Sequence, residues 1–207
     1  HSSVPVGNVD LDNKIVRFGG KPVKIAFNLV HHGELAARLG QADFERATKI
    51  SGSGFFFLKN DLALLDFALT RFAVDELLKK GFELTLPPLM MHKKQYEGVT
   101  DLEAFKDVIY KIEGEDLFLI ATSEHPMAAM YSGEILEDSS LPVKLCGVSP
   151  CFRKEVGKHG LDERGLFRVH QFNKVEQFIF CKPEESWGFL DELVKNAEGF
   201  LDALGLH

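Results

Sequence analysis

Cysteine, tryptophan and excess positive charge are all scarce in this 207-residue chain. Its three cysteines (Cys146, Cys151, Cys181) form no CxxC pair and leave one unpaired, which argues against a disulfide scaffold or a zinc ribbon. Buried, reduced thiols are the simpler expectation. Lysine and arginine number 24 against 31 acidic residues, a net charge of −7. A domain devoted to gripping nucleic acid normally carries a basic excess, so only a local RNA contact fits this balance. No apolar run approaches the roughly 20 residues that cross a bilayer, and no charged-then-apolar signal opens the chain, so neither a membrane nor a secreted protein is expected.

Several familiar motifs are missing too. Gly52 and Gly54 give Gly-x-Gly, but no third glycine or Gly-Lys-Ser/Thr follows, which excludes the usual dinucleotide and Walker-type phosphate loops. His31-His32 has no further ligand at metal spacing and reads as a surface or capping pair, so no metal-ligating residues are assigned. The chain opens on His1 rather than methionine and closes on Gly205-Leu206-His207, where a helix is expected to stop. A piece of a longer protein is the expectation.

What is present is globular: 45% hydrophobic and 27% charged residues, with no repeat or Gly/Ser linker to mark a domain boundary. Short apolar runs at Val4–Gly7, Lys14–Phe18 and Pro22–Phe27 predict irregular strands. Glu34–Leu39 and Asp43–Lys49 predict short helices, and Phe55–Leu58 a strand. A long helix runs from an Asn60 cap to Gly81, with Leu62, Leu65, Leu69, Phe72 and Ala73 on one face. Tyr96–Phe105 is mostly polar and reads as a surface segment. Ile109–Ile112 and Leu117–Ile120 predict a hairpin, and His125–Leu136 a helix. A last helix, near 184–204, aligns Trp187, Leu190, Val194, Ala197, Leu201 and Leu204 behind Pro183. Tight hairpins dominate the middle, which favours an α+β fold: a mainly antiparallel sheet with flanking helices.

The chemistry concentrates in residues 147–180. Val148–Glu155 and Leu166–Phe180 predict a long antiparallel hairpin, its polar connection Val156–Gly165 a solvated tip. Alternation turns Phe167, Val169, Val175 and Ile179 one way, toward helices. Arg168, His170, Phe172, Lys174, Glu176 and Phe178 turn the other way, and Arg153 and Glu155 share a face with each other. A solvated face laced by cross-strand ion pairs, each contributing about 0.2–1 kcal/mol, is the bland explanation. Solvated faces seldom carry two phenylalanines among the charges. Arginine for phosphate or carboxylate, phenylalanine for a flat base and glutamate for an ammonium make a ligand floor the better reading. Thr122-Ser123-Glu124 opens the His125 helix. Taken alone it is a capping segment with Thr122 or Ser123 as cap; beside a ligand floor it becomes a candidate amine- and hydroxyl-binding corner.

These residues, taken together, resemble the catalytic domain of class II aminoacyl-tRNA synthetases, the seryl-tRNA synthetases in particular. Leu78-Lys79-Lys80-Gly81-Phe82 through Pro88-Leu89-Met90 resembles motif 1, the helix–strand element of the family's dimer interface. Cys151-Phe152-Arg153-Lys154-Glu155 with Leu166-Phe167-Arg168-Val169-His170-Gln171-Phe172-Asn173-Lys174-Val175-Glu176 resembles motif 2. Thr122-Ser123-Glu124 is similar to the family's Thr-x-Glu serine-binding element, and Ile50-Ser51-Gly52-Ser53 through Phe55 to another seryl-enzyme segment. Nothing after Glu176 resembles the Gly-rich motif 3, and the helical tRNA-binding arm is absent, so residues 1–207 are expected to form a partial catalytic domain.

The resemblance implies a serine–tRNA ligase that uses ATP, with Mg2+ bridging phosphates, acts on L-serine and tRNA(Ser), and works as a cytoplasmic homodimer through motif 1. It implies Arg153 as the catalytic residue, on the α-phosphate and the serine carboxylate. Glu155 would contact adenine, Phe172 would stack on it, and Val169 would help frame the nucleotide, with Arg168 also an ATP ligand. Glu176, Glu124 and Thr122 would take serine, and Lys158, His159 and Arg164 the tRNA acceptor end. Two other functions fit the same residues: a non-catalytic binding or dimerisation module on this fold, and an amino-acid:carrier-protein ligase.

Overall fold

The structure, a computed structural model, describes residues 14–21, 24–155 and 165–206. His31 opens the first helix, its Nδ1 accepting the Gly33 N–H at 3.3 Å, and α1 (His32–Arg38) ends ahead of Gly40, whose φ of +68° turns the chain. β1 (Ala42–Asp43) leads into α2 (Phe44–Ser51), where the Asp43 carboxylate accepts the Arg46 N–H at 2.9 Å as a helix cap. β2 (Phe57–Leu58) returns antiparallel to β1. The segments 14–18 and 24–27 form no strand: they are exposed, Val16 at 93%, and find no ladder partner. Val4–Gly7 lies outside the described residues.

α3 (Asn60–Lys79) buries Val74 and Leu77 and stops at Gly81, with φ +81°. Lys59 is its cap residue; Asn60, expected in that role, is the first helical residue at φ +52°. β3 (Glu83–Thr85) follows, then the Pro87-Pro88 break, β4 (Met90–Met91), α4 (Lys93–Glu97) and α5 (Leu102–Phe105). Tyr96–Phe105 corrects the surface expectation. Tyr96 is fully buried and joins Met91, Leu102, Ile109 and Ile120 in one of two apolar clusters. β5 (Phe118–Leu119) pairs with β4, and the Ile112 and Leu119 N–H groups donate to the Leu117 and Tyr110 carbonyls, both at 2.9 Å, closing the expected hairpin. α6 is only Glu124–Ala129, since turns follow and Gly133 sits at φ +79°.

β6 (Val143–Phe152) and β7 (Gln171–Phe180) pair antiparallel over ten residues each, from Val143↔Phe180 to Phe152↔Gln171. β6 begins five residues before its expected start at Val148 and stops before Glu155, which takes φ +49°; residues 165–170 are bends rather than strand. β3 joins β6 in parallel, giving the order β3-β6-β7; the other ladders among the described residues are antiparallel. After a 3-10 turn at Pro183–Glu185, α7 (Ser186–Ala203) runs back along the sheet. Cys146 and Val148 of β6 with Val175 and Ile179 of β7 face α3 and α7, packing with Val74, Leu77, Phe82 and Leu193 as the second cluster. The period-2 pleat therefore turns Gly147, Ser149 and Cys151 to the opposite face, paired with Glu176, Lys174 and Phe172.

Candidate active site

That opposite face is roofed on one side by α6. Gly147 permits the approach: a Cβ there would lie 2.6 Å from Met127 Cε and 2.8 Å from Ser123 Oγ. Small residues on β6 thus leave the space above it to the Thr122-Ser123-Glu124 corner and to long side chains from β7. Thr122, 5% exposed, is the junction of the corner. Its hydroxyl donates to Glu176 Oε2 at 2.9 Å and accepts from Lys174 Nζ at 2.9 Å and from the Glu124 N–H at 3.2 Å. Lys174 and Glu176 also form an ion pair, with side chains 30% and 20% exposed. Thr122, not the cap residue Ser123, is therefore the side chain that serves the start of α6.

Arg153 comes to the same place from the end of β6. Its Nε donates to the Ala121 carbonyl at 3.2 Å and its guanidinium carbon lies 5.2 Å from the centre of the Phe172 ring. Arg153, Phe172, Lys174, Glu176 and Thr122 thus form one connected group on one sheet face. Glu155 belongs to a different pair: beyond the end of the strand, it accepts from Arg168 at 3.1 Å. Glu124 is exposed at the start of α6. Val169 is 4% exposed and lines, with Phe55, Leu62 and Phe172, a cavity of about 320 Å3. Phe167, expected under the helices, is 73% exposed. Lys158, His159 and Arg164 lie outside the described residues.

Beneath the corner is a buried polar layer. The Tyr96 hydroxyl accepts the Ala121 N–H at 3.3 Å and lies 3.0 Å from His125 Nδ1. Burial pushes the Tyr96 phenol up to about 12. His125 is driven down to about 4, by burial first and then by the nearby Lys174 and Arg153 cations. His125 is therefore neutral at pH 7 and adds no charge to a corner that already holds two cations. Burial raises the thiols of Cys146, to about 11, and of Cys151, so both stay protonated and unreactive. Lys174, Tyr96 and His125 had no role assigned from sequence. Lys174 was legible, lying between Phe172 and Glu176 on the same strand face; nothing in the sequence tied Tyr96 to residues 121–125.

The arrangement can hold an anion at Arg153, a flat ring on Phe172 and an ammonium at Glu176. Residues 107–207 match the model of the tRNA synthetase class II core domain (G, H, P, S and T). The serine–tRNA ligase of Methanocorpusculum labreanum is 59% identical over 206 residues, covering 100% of this chain and 48% of that protein. Among solved structures, the seryl-tRNA synthetase of Pyrococcus horikoshii, complexed with ATP, superposes at a TM-score of 0.90 with 46% identity, covering 98% of this chain and 50% of that one. The cytoplasmic serine–tRNA ligase of Naegleria fowleri, in complex with AMP, gives 0.90 with 40% identity over 99% and 50% of the two chains. The chain spans about half the length of the curated relatives it matches. In sequence and in fold, it belongs to the class II tRNA synthetases, in their seryl-tRNA synthetase branch.

Proposed function

We propose that residues 1–207 form the motif 1 and motif 2 part of the catalytic domain of a serine–tRNA ligase, which activates L-serine with ATP and passes it to tRNA(Ser). The observation that carries this reading is the meeting of Arg153, its guanidinium 5.2 Å from the centre of the Phe172 ring, with the Thr122–Lys174–Glu176 network on one sheet face. It is supported by relatives that are serine–tRNA ligases and by a similar structure complexed with ATP.

In this reading adenine stacks on Phe172, with Val169 helping to frame the nucleotide and Glu155 and Arg168 contacting ATP. Arg153 holds the α-phosphate and the serine carboxylate. Glu176, Glu124 and Thr122 receive the serine ammonium, which takes over the place Lys174 holds on Glu176. A serine carboxylate oxygen attacks the α-phosphorus, the bond to the β-phosphate oxygen breaks, and pyrophosphate leaves with its electrons. A terminal ribose hydroxyl of tRNA then attacks the adenylate carbonyl and AMP departs. Neither step needs a side-chain nucleophile; catalysis comes from alignment and from neutralising charge that grows on phosphate. Lys158, His159 and Arg164 are assigned to the acceptor end.

Magnesium belongs to the reading as well, and would supply positive charge to the phosphates of ATP. Among the described residues no three His, Cys, Asp or Glu side chains are grouped to hold a metal ion. Glu155 and Glu176 are engaged by Arg168 and Lys174. The described residues thus offer magnesium no cluster of carboxylates of their own. A homodimer through motif 1 and a cytoplasmic location complete the proposal; no helix among the described residues is long and apolar enough to cross a membrane.

The test is serine-dependent ATP–pyrophosphate exchange, with alanine, threonine and no amino acid as controls. Exchange with serine alone is expected, and Arg153→Ala should lower it by at least about a hundredfold with the fold intact. Near-normal exchange in that variant would sink the assignment. Dimerisation without any serine- or ATP-dependent signal would favour a non-catalytic module.

A further inference from the structure

Arg153 is the first residue beyond the β6–β7 ladder, whose last pair is Phe152↔Gln171. Strand ends fray, and two residues on Glu155 already has φ +49°. Something must hold Arg153 where the ladder no longer does, because ordering a residue opposes its conformational entropy. The group in place is His170. Its carbonyl accepts the Arg153 N–H at 2.9 Å, and its own N–H donates to the Gly54 carbonyl at 2.9 Å.

The His170 side chain is fixed from two further directions. Its ring stacks on Phe55, with centroids 4.9 Å apart and planes 9° from parallel. Its Nδ1 lies 2.7 Å from the Tyr110 hydroxyl. Gly54 makes room for this: at φ +77° it has no Cβ, and one would sit 2.5 Å from the His170 ring. The Tyr110 segment is tied in turn to the strand end, since the Lys154 N–H donates to the Val108 carbonyl at 2.8 Å. Lys154 Nζ also lies 5.7 Å from the centre of the Tyr110 ring. Segments 54–55 and 110 therefore meet at the imidazole, and segment 153–154 is tied to the His170 carbonyl and to the Tyr110 segment.

We propose that His170 is a positioning residue for Arg153: its ring, clamped by Phe55 and Tyr110, holds the backbone that aims the arginine. The proposal rests on the adenylation reading above. One ring face and one ring nitrogen are already engaged within the protein, which suits a brace better than a substrate ligand. Because Arg153 acts on charge that develops during phosphoryl attack, a misaimed Arg153 should cost turnover more than substrate binding.

The experiment compares His170→Ala, His170→Asn and Tyr110→Phe in the full-length protein. It reads serine-dependent ATP–pyrophosphate exchange per folded molecule and amide hydrogen exchange at Arg153 and Lys154. His170→Ala is expected to lower kcat about tenfold while KM for ATP and serine stays within about twofold. His170→Asn, whose amide reaches the position of Nδ1, should recover most of the loss, and Tyr110→Phe should show a smaller loss of the same kind. The Arg153 amide should exchange faster in His170→Ala than in the parent. Unchanged kcat per folded molecule, a loss confined to KM, or unaltered exchange at the Arg153 amide would each overturn the proposal. Should the parent protein show no serine-dependent turnover, the adenylation reading fails by itself, and the amide exchange still decides whether His170 holds Arg153.

Discussion

Glu176 has two partners, the Thr122 hydroxyl and the Lys174 ammonium. In the proposed function an amino-acid ammonium arriving at this carboxylate takes the place of the Lys174 ammonium, so Glu176 keeps a cationic partner while the partly exposed Lys174 is freed toward solvent or ligand. The Thr122 hydroxyl, donating to Glu176 Oε2 at 2.9 Å, orients the carboxylate. Since serine carries the ammonium and ATP does not, Glu176→Ala should raise KM for serine about tenfold to a hundredfold, the worth of a charge-assisted hydrogen bond. KM for ATP should move far less. Exchange kinetics with each substrate varied in turn provide the check; equal losses for both would remove Glu176 from the serine site. Most of this group was readable residue by residue, because strand alternation places Phe172, Lys174 and Glu176 together. Glu155 was not. A left-handed φ at a non-glycine residue carries it past the strand's end, and it faces Arg168 instead of joining Arg153.

At the scale of elements, periodicity found the helices better than it found their buried faces. In α7 the aligned Trp187, Leu190, Val194, Leu201 and Leu204 are 38–48% exposed, whereas Leu193, Asn196 and Phe200 face the sheet and α3. A helix apolar on more than one side does not declare which side meets its neighbour. Residues 96–105 erred in the opposite direction: Tyr96, Val99 and Leu102, three apart, outweigh the polar residues between them and pack around Ile120. The buried pair Tyr96–His125 then couples α4 to α6, with a consequence in acid. His125 titrates near 4 when folded against an ordinary value near 6.5. Between those values the unfolded chain binds more protons, so stability is fully present above about 6.5 and falls as pH drops toward 4. The loss from this group should reach up to about 2 kcal/mol by pH 5. Urea unfolding at pH 7.5 and pH 5 measures it, with His125→Asn as the comparison. An acid-induced loss of the same size in that variant would show that another group is responsible.

On the scale of the whole molecule, exposed apolar side chains are spread along the chain, and motif 1 carries one group of them. Leu84, Leu86, Leu89 and Met90 are 45%, 75%, 37% and 43% exposed, and Leu86, Pro87, Pro88, Met90 and Met130 line an open cavity of about 440 Å3. The Pro87-Pro88 break causes this: it prevents β3 from continuing and leaves the following side chains without a sheet neighbour. A contiguous apolar patch of that kind is unusual on a monomer, and the proposed homodimer gives it a partner, the same patch on a second copy related by a two-fold axis. Leu86→Asp separates assembly from folding. The side chain is three-quarters exposed within one copy, so the melting temperature of the dissociated chain should change little. Across a two-fold axis the substitution sets two carboxylates in the interface, and the dimer dissociation constant should rise by at least about tenfold. Sedimentation equilibrium of parent and variant measures it directly. A parent that stays monomeric, or a variant that dimerises as tightly as the parent, would place the interface elsewhere and leave the apolar surface at motif 1 to another partner.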